Sequence, residues 1–121
     1  MFLNEEVLAN VVDAALDAAY NYGRSQPGTF GHAANVGTAT AVLDLLKDGE
    51  TNEEELANAA HLGWAAVALS YEDPIYLSKP QKRDARRYLA RTPYYLLDEA
   101  EKEKDRVAAR AVAAAFRSAC C

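Results

Sequence analysis

Six cations crowd one short stretch of this 121-residue chain: Lys79, Lys82, Arg83, Arg86, Arg87 and Arg91, with Asp84 the single acid among them. At helical spacing Lys79, Arg83 and Arg87 align, as do Lys82, Arg86 and loosely Arg91. An arginine fork binds phosphate through two parallel bonds, so two converging forks can grip a diphosphate or a cyclic dinucleotide. The same run also reads as a solvated face that balances acids elsewhere through weak surface pairs. Aromatic residues accompany the cations: Trp64, Tyr71, Tyr76, Tyr88, Tyr94 and Tyr95. Stacked on a purine they form the base-binding half of a nucleotide site, although Trp64 lies on an apolar helix face and equally reads as core. Tyr94 and Tyr95 flank a proline turn, which predicts one ring facing in and the other out.

A second constellation follows at once. Pro93-Tyr94-Tyr95-Leu96-Leu97 runs into Asp98-Glu99-Ala100-Glu101-Lys102-Glu103-Lys104-Asp105-Arg106, an aromatic turn before a charge-dense helix start. Asp105 and Arg106 diverge by about 100° on a helix and cannot pair with each other. Asp105 can orient an arginine or accept from a ligand hydroxyl. Arg106 can take a phosphate or bridge structurally to an acid, and both residues also fit a purely fold-holding role. His32 and His61 are the only histidines. No cysteine or carboxylate set joins them at metal-ligand spacing, so no metal site and no catalytic pair is expected, and His61 reads as a satisfied, partly buried side chain. Gly28-Thr29-Phe30-Gly31 is too short for a phosphate-binding loop, yet it precedes a helix and can offer backbone donors to a site.

The elements that position these residues are helical. Asn4 caps a first helix to about Tyr22, stopped by Gly23, with Val7, Leu8, Val11, Ala15, Ala18 and Tyr22 on its apolar face. A second helix spans about Gly31 to Lys47. Thr51 and Glu54 form a capping box for a third, to about Tyr71, with Leu56, Ala60, Trp64, Val67 and Ala68 facing the core and Asp73-Pro74 breaking it. Ser78 and Gln81 form another box before a short basic helix over 79–90, and Asp98 with Glu101 opens a last helix to about Ser118. The expected fold is a small all-α bundle of about five helices, with an N-terminal hairpin (1–50) and a second helical region (51–121) forming one compact domain. Asn4–Asn10 and Asn52–Asn58 read alike, which fits either a duplicated hairpin or two similarly capped helix starts.

Half of the residues are hydrophobic and many of those are alanine, which lets helices approach closely but buries little area per residue. A thin core follows, and a homo-oligomeric contact is expected to supplement it. Residues 1–69 carry ten acids and two bases, residues 70–121 eight acids and eleven bases, for a net charge of −5. That acidic total argues against general nucleic-acid binding. No apolar run has the roughly 20 residues of a membrane span. With no signal-like start, a cytoplasmic protein without membrane attachment is expected. Cys120 and Cys121 are adjacent and cannot staple the fold; they read as a reduced, frayed end or as an intermolecular disulfide.

Pro93, Tyr94, Leu97, Glu101, Lys102, Glu103, Asp105 and Arg106 together resemble the hallmark of the ryanodine-receptor (RyR) domain, and Leu56-Ala57 leading to His61 and Trp64 resembles the helix that precedes it there. The matched pieces cover about half of residues 52–118. The Gly-Trp-x-Tyr-Gly turn usual in that family is replaced by Tyr71–Tyr76 and the basic helix, and residues 1–50 lie outside the resemblance. The resemblance implies a domain that binds small ligands, with bacterial and phage relatives found beside nucleotide-signalling and defence systems. On this basis the expected function is binding, without transformation and with no cofactor, of a nucleotide-like signal of the cyclic-nucleotide or ADP-ribose type, as in a phage-type sponge against host immune signalling. Arg83, Arg86, Arg87 and Arg106 are expected to hold phosphates, Trp64, Tyr71 and Tyr94 to flank the base, and Asp105 to order the site. A protein–protein adaptor with no small ligand is the alternative, and a nucleotide hydrolase using His61 or Asp105 the third.

Overall fold

The computed structural model describes residues 3–71 and 79–120, the Cys120 side chain excepted. The Ser78–Gln81 capping box, the Asp73-Pro74 break, Tyr76 and the terminal cysteine pair therefore fall wholly or partly outside the described residues. Five α-helices appear among them, with no strand: α1 (Glu5–Tyr20), α2 (Phe30–Lys47), α3 (Glu53–Ser70), α4 (Pro80–Arg91) and α5 (Glu99–Cys120), with a 3-10 turn at Tyr94–Leu96 between the last two. None is long and apolar enough to cross a membrane.

Each start has a local cause. The side chains of Asn4, Thr29, Asn52 and Asp98 accept backbone N–H groups three residues on, at 2.9, 3.2, 3.1 and 2.9 Å. Two expected capping boxes are corrected. Asn52, not Thr51, caps α3, because Glu54 is bound to Arg106 and Tyr94 and cannot reach back to complete a box with Thr51. Similarly, Asp98 caps α5 while the Glu101 side chain accepts from Lys104 instead. Asn21 ends α1 in the left-handed region (φ 57°), two residues before the expected Gly23. α4 has no side-chain cap and begins with Pro80, whose missing N–H costs nothing at a first turn.

The core is shared by four helices: Leu8 and Val12 of α1, Val42 and Leu46 of α2, Leu56 and Ala60 of α3, and Ala109 and Val112 of α5. Residues 1–50 and 51–121 therefore build one interior. Eleven of the twenty buried apolar residues described are alanine, so the core gains area by close helix approach rather than by large side chains. The α1 face is rotated from the expected one. Leu8, Val12 and Asp13 face in, whereas Val7 is 39% and Tyr22 57% exposed. A buried aspartate occupies a position that an apolar pattern assigns to solvent.

α2 and α3 cross most tightly where Gly37 meets Gly63. A Cβ at Gly37 would lie 2.6 Å from the Gly63 carbonyl oxygen, and one at Gly63 would strike the Gly37 carbonyl. Both obstacles are backbone, so neither swings aside. Gly63→Ala is expected to cost about 1–3 kcal/mol, as overpacking does, and to lower the thermal midpoint by several degrees in calorimetry.

Candidate functional site

A cavity of about 830 Å³ opens between the 21–31 loop, the inner faces of α1–α3, α4 and the first turns of α5. One wall is a continuous row of side chains. The Arg86 guanidinium lies 4.5 Å over the Phe30 ring, and Phe30 meets Trp64 edge-on at 6.4 Å. Trp64 stacks on His61 at 6.0 Å, and His61 Nδ1 faces Asp105 Oδ2 at 3.6 Å. Lys82 joins Arg86 at one end of the cavity lining, and Glu101 and Lys104 accompany Asp105.

The row follows from local folding. His61 and Trp64 are three residues apart on one face of α3. Phe30 is the first residue of α2, held by the Thr29 cap, and Arg86 reaches over its ring from α4. The loop is pinned by Asp13, which is 6% exposed: its carboxylate accepts from Arg24 Nε at 2.7 Å, the Ser25 N–H at 3.1 Å and Asn35 Nδ2 at 3.2 Å. Burial opposes ionisation of Asp13, but the bonds from Arg24 and Ser25 outweigh it and hold the carboxyl below the usual range. Tyr71 lies edge-on to Phe30 at 5.5 Å and donates to the Gly28 carbonyl at 3.2 Å, so it buttresses the loop from outside the cavity lining.

His61 is 3% exposed, and its Nε2 lies 2.7 Å from the Thr92 carbonyl oxygen. A carbonyl only accepts, so Nε2 carries the hydrogen and Nδ1 is the nitrogen turned toward Asp105. Asp105 has a side chain only 17% exposed. Burial first, then the charge of Glu101, pushes its carboxyl up to about 7, against a partial offset from Lys104.

Of the residues expected to bind, Trp64, Arg86 and Asp105 line the cavity, and Tyr71 flanks its loop. The other four are elsewhere. Arg83 turns to Asp84 at 3.1 Å, and Arg87 reaches the Ala68 carbonyl at 3.4 Å on the α3 side. Tyr94 is 1% exposed and donates to Glu54 at 2.6 Å, while Tyr95 is 53% exposed and donates to Glu55 at 2.9 Å. Arg106, expected to hold a phosphate, is instead tied to acids of the fold: its Nε and Nη2 donate to Glu54 at 3.1 and 2.7 Å, and its Nη1 to Glu99 at 3.0 Å. Arg110 repeats the pattern on Glu53, at 2.6 and 3.2 Å.

Sequence reasoning missed Asp13, Asn35, Thr38 and Lys104 as cavity residues, and named Lys82 only within the basic run. Asp13 falls off the apolar face that the α1 pattern predicts, so nothing local signals its burial; that follows from Arg24, Ser25 and Asn35 arriving from other segments. Among the described residues no three or more His, Cys, Asp or Glu side chains are grouped as metal ligands.

The Glu54 grip has a pH signature. Arg106 first, then Tyr94, lowers the Glu54 carboxyl to about 2 from an ordinary value near 4.5. A depressed folded-state pKa adds stability above the ordinary value, and that stability is lost as pH falls from about 4.5 to about 2. Glu54 is nearly half exposed, so screening leaves about 1 kcal/mol at neutral pH. Glu54→Gln should be less stable than the wild type by that amount at pH 7 in urea titrations, and the two should converge toward pH 2.

Comparison with protein-family models, with curated proteins and with solved structures gives no match for this chain. What the cavity takes has to be read from its own side chains.

Proposed function

We propose that the chain binds, without transforming it, a nucleotide-derived, phosphate-bearing small molecule in the cavity between α4 and the 21–31 loop. The observation that carries this is the ordered wall: cations at one end (Lys82, Arg86), aromatic rings in the middle (Phe30, Trp64) and a carboxyl at the other end (Asp105). A nucleotide has the same sequence of chemistries: an anion that a guanidinium binds, a flat ring that stacks, and hydroxyl or amino donors. The volume of about 830 Å³ lies in the range of about 300–1,000 Å³ common for small-molecule sites.

Binding without turnover agrees with the state of His61. Its Nε2 N–H is donated to the Thr92 carbonyl and its Nδ1 is turned to Asp105, so the ring is poorly set to activate a nucleophile. A protein of this kind acts by sequestration, holding a signalling nucleotide at stoichiometric cost, which is also what the RyR-like residues suggest. A homo-oligomer would raise the number of sites per particle, and light scattering behind size exclusion measures that.

A thermal-shift panel of AMP, ADP, ADP-ribose and cyclic nucleotides tests the proposal. A ligand at 100 times its Kd stabilises the native state by about 2.7 kcal/mol, a shift of several degrees. Arg86→Ala should abolish the shift and Arg83→Ala, outside the cavity, should keep it. No shift with any nucleotide refutes the proposal, and product found by chromatography after incubation would replace it with hydrolysis.

A further inference from the structure

The carboxylates on the cavity wall are not equivalent. Asp13 is satisfied by Arg24, Ser25 and Asn35, and Glu101 by Lys104 at 3.1 Å. Asp105 is different: no hydrogen bond reaches its carboxyl among the described residues, and its ion-pair contact there, His61 Nδ1, lies at 3.6 Å, beyond hydrogen-bond length. A mostly buried carboxyl without a donor is costly when charged, so such a group stays protonated or waits for a partner. We infer that the ligand's end opposite its phosphate carries paired hydrogen-bond donors that the Asp105 carboxylate accepts, as the vicinal hydroxyls of a ribose do, and that binding expels one proton from this carboxyl to solvent. This rests on the nucleotide reading of the same cavity and specifies it: a ribosyl phosphate with a free diol.

The surrounding charges favour that orientation. Asp105 is faced by His61 from α3 and by Glu101 and Lys104 from its own helix; Asp13, paired with Arg24, lines the cavity from α1, and Lys82 and Arg86 line it from α4. At the Asp105 end Glu101 and Asp13 are each paired with a cation and leave no surplus positive charge, whereas Lys82 and Arg86 attract a phosphate to theirs. A diol offers two O–H groups at the spacing of two carboxylate oxygens, and both bonds require the ionised form. Free Asp105 is held up to about 7, mainly by burial. Donor bonds to the carboxylate lower that value in the complex, so affinity should rise with pH up to about 7 and level off above it.

ADP-ribose is a suitable probe, because both of its phosphates carry one charge throughout this range and its diols are free. Calorimetry at pH 6.5 in Pipes and in imidazole, whose ionisation enthalpies differ, counts the protons released. The expected result is release of more than half a proton per site, with affinity falling about tenfold from pH 7.5 to 5.5. Asp105→Asn should bind at least tenfold more weakly and release no proton. Binding with equal apparent enthalpy in the two buffers, and unaltered in Asp105→Asn, overturns the inference while leaving the nucleotide proposal standing. Failure of ADP-ribose to bind overturns it too, and the thermal-shift panel then decides whether the broader proposal survives. The proton count on the wild-type protein needs no variant to fold.

Discussion

The carboxylate of Glu54 is the point on which the rest of the molecule turns. It accepts two bonds from Arg106 and one from the Tyr94 hydroxyl, and so joins the start of α3 to both the 3-10 turn and α5. Adjacent residues on a helix diverge by about 100°. Once Arg106 is tied to Glu54, the preceding Asp105 is therefore delivered to a different direction, opposite His61 and into the cavity. Tyr94 seats the turn with Ala57 and Leu97, and two residues upstream Thr92 presents the carbonyl that accepts the His61 Nε2–H bond. One grip thus sets the α5 rotation, the turn and the orientation of the histidine.

The cavity is the complement of a core built from alanine. α2 and α3 close tightly at Gly37 and Gly63, and α1, α2, α3 and α5 share an interior of small side chains. α4 contributes no fully buried residue and rests on α3 through half-buried Arg87 and Leu89. Polar groups are therefore left along the seam between the bundle, α4 and the loop, and most are satisfied internally. Asp13 holds the loop, Glu101 holds Lys104, and Arg86 covers Phe30. The row from Arg86 to Asp105 is the part of this seam that offers mixed chemistry to a small molecule.

Much of the helical framework was legible in the sequence, because helix starts depend on local chemistry. Asn4 and Asp98 cap as their types predict, and the helix number and class agree with the periodicity. Rotations about helix axes were less legible. The basic run was visible, but which cations face the cavity depends on how α4 leans on α3: Arg86 meets Phe30 while Arg83 and Arg87, one residue away on the helix sequence or three back, turn elsewhere. The same holds for Asp13, whose burial depends on Arg24, Ser25 and Asn35 arriving from other segments. Arg106 and Tyr94 stood out for their motif, yet motif alone did not separate holding a fold from holding a ligand; their carboxylate partner 40 to 52 residues upstream did.

Trp64 is the single tryptophan of the chain and stands in the middle of the cavity wall. Its emission, titrated with ADP-ribose, reports on occupancy of this cavity. The account predicts a saturable change in the wild type that is lost in Arg86→Ala and unaffected in Arg83→Ala. Emission that stays constant to millimolar ADP-ribose, while the nucleotide binds by calorimetry, would contradict it by locating the site away from Trp64.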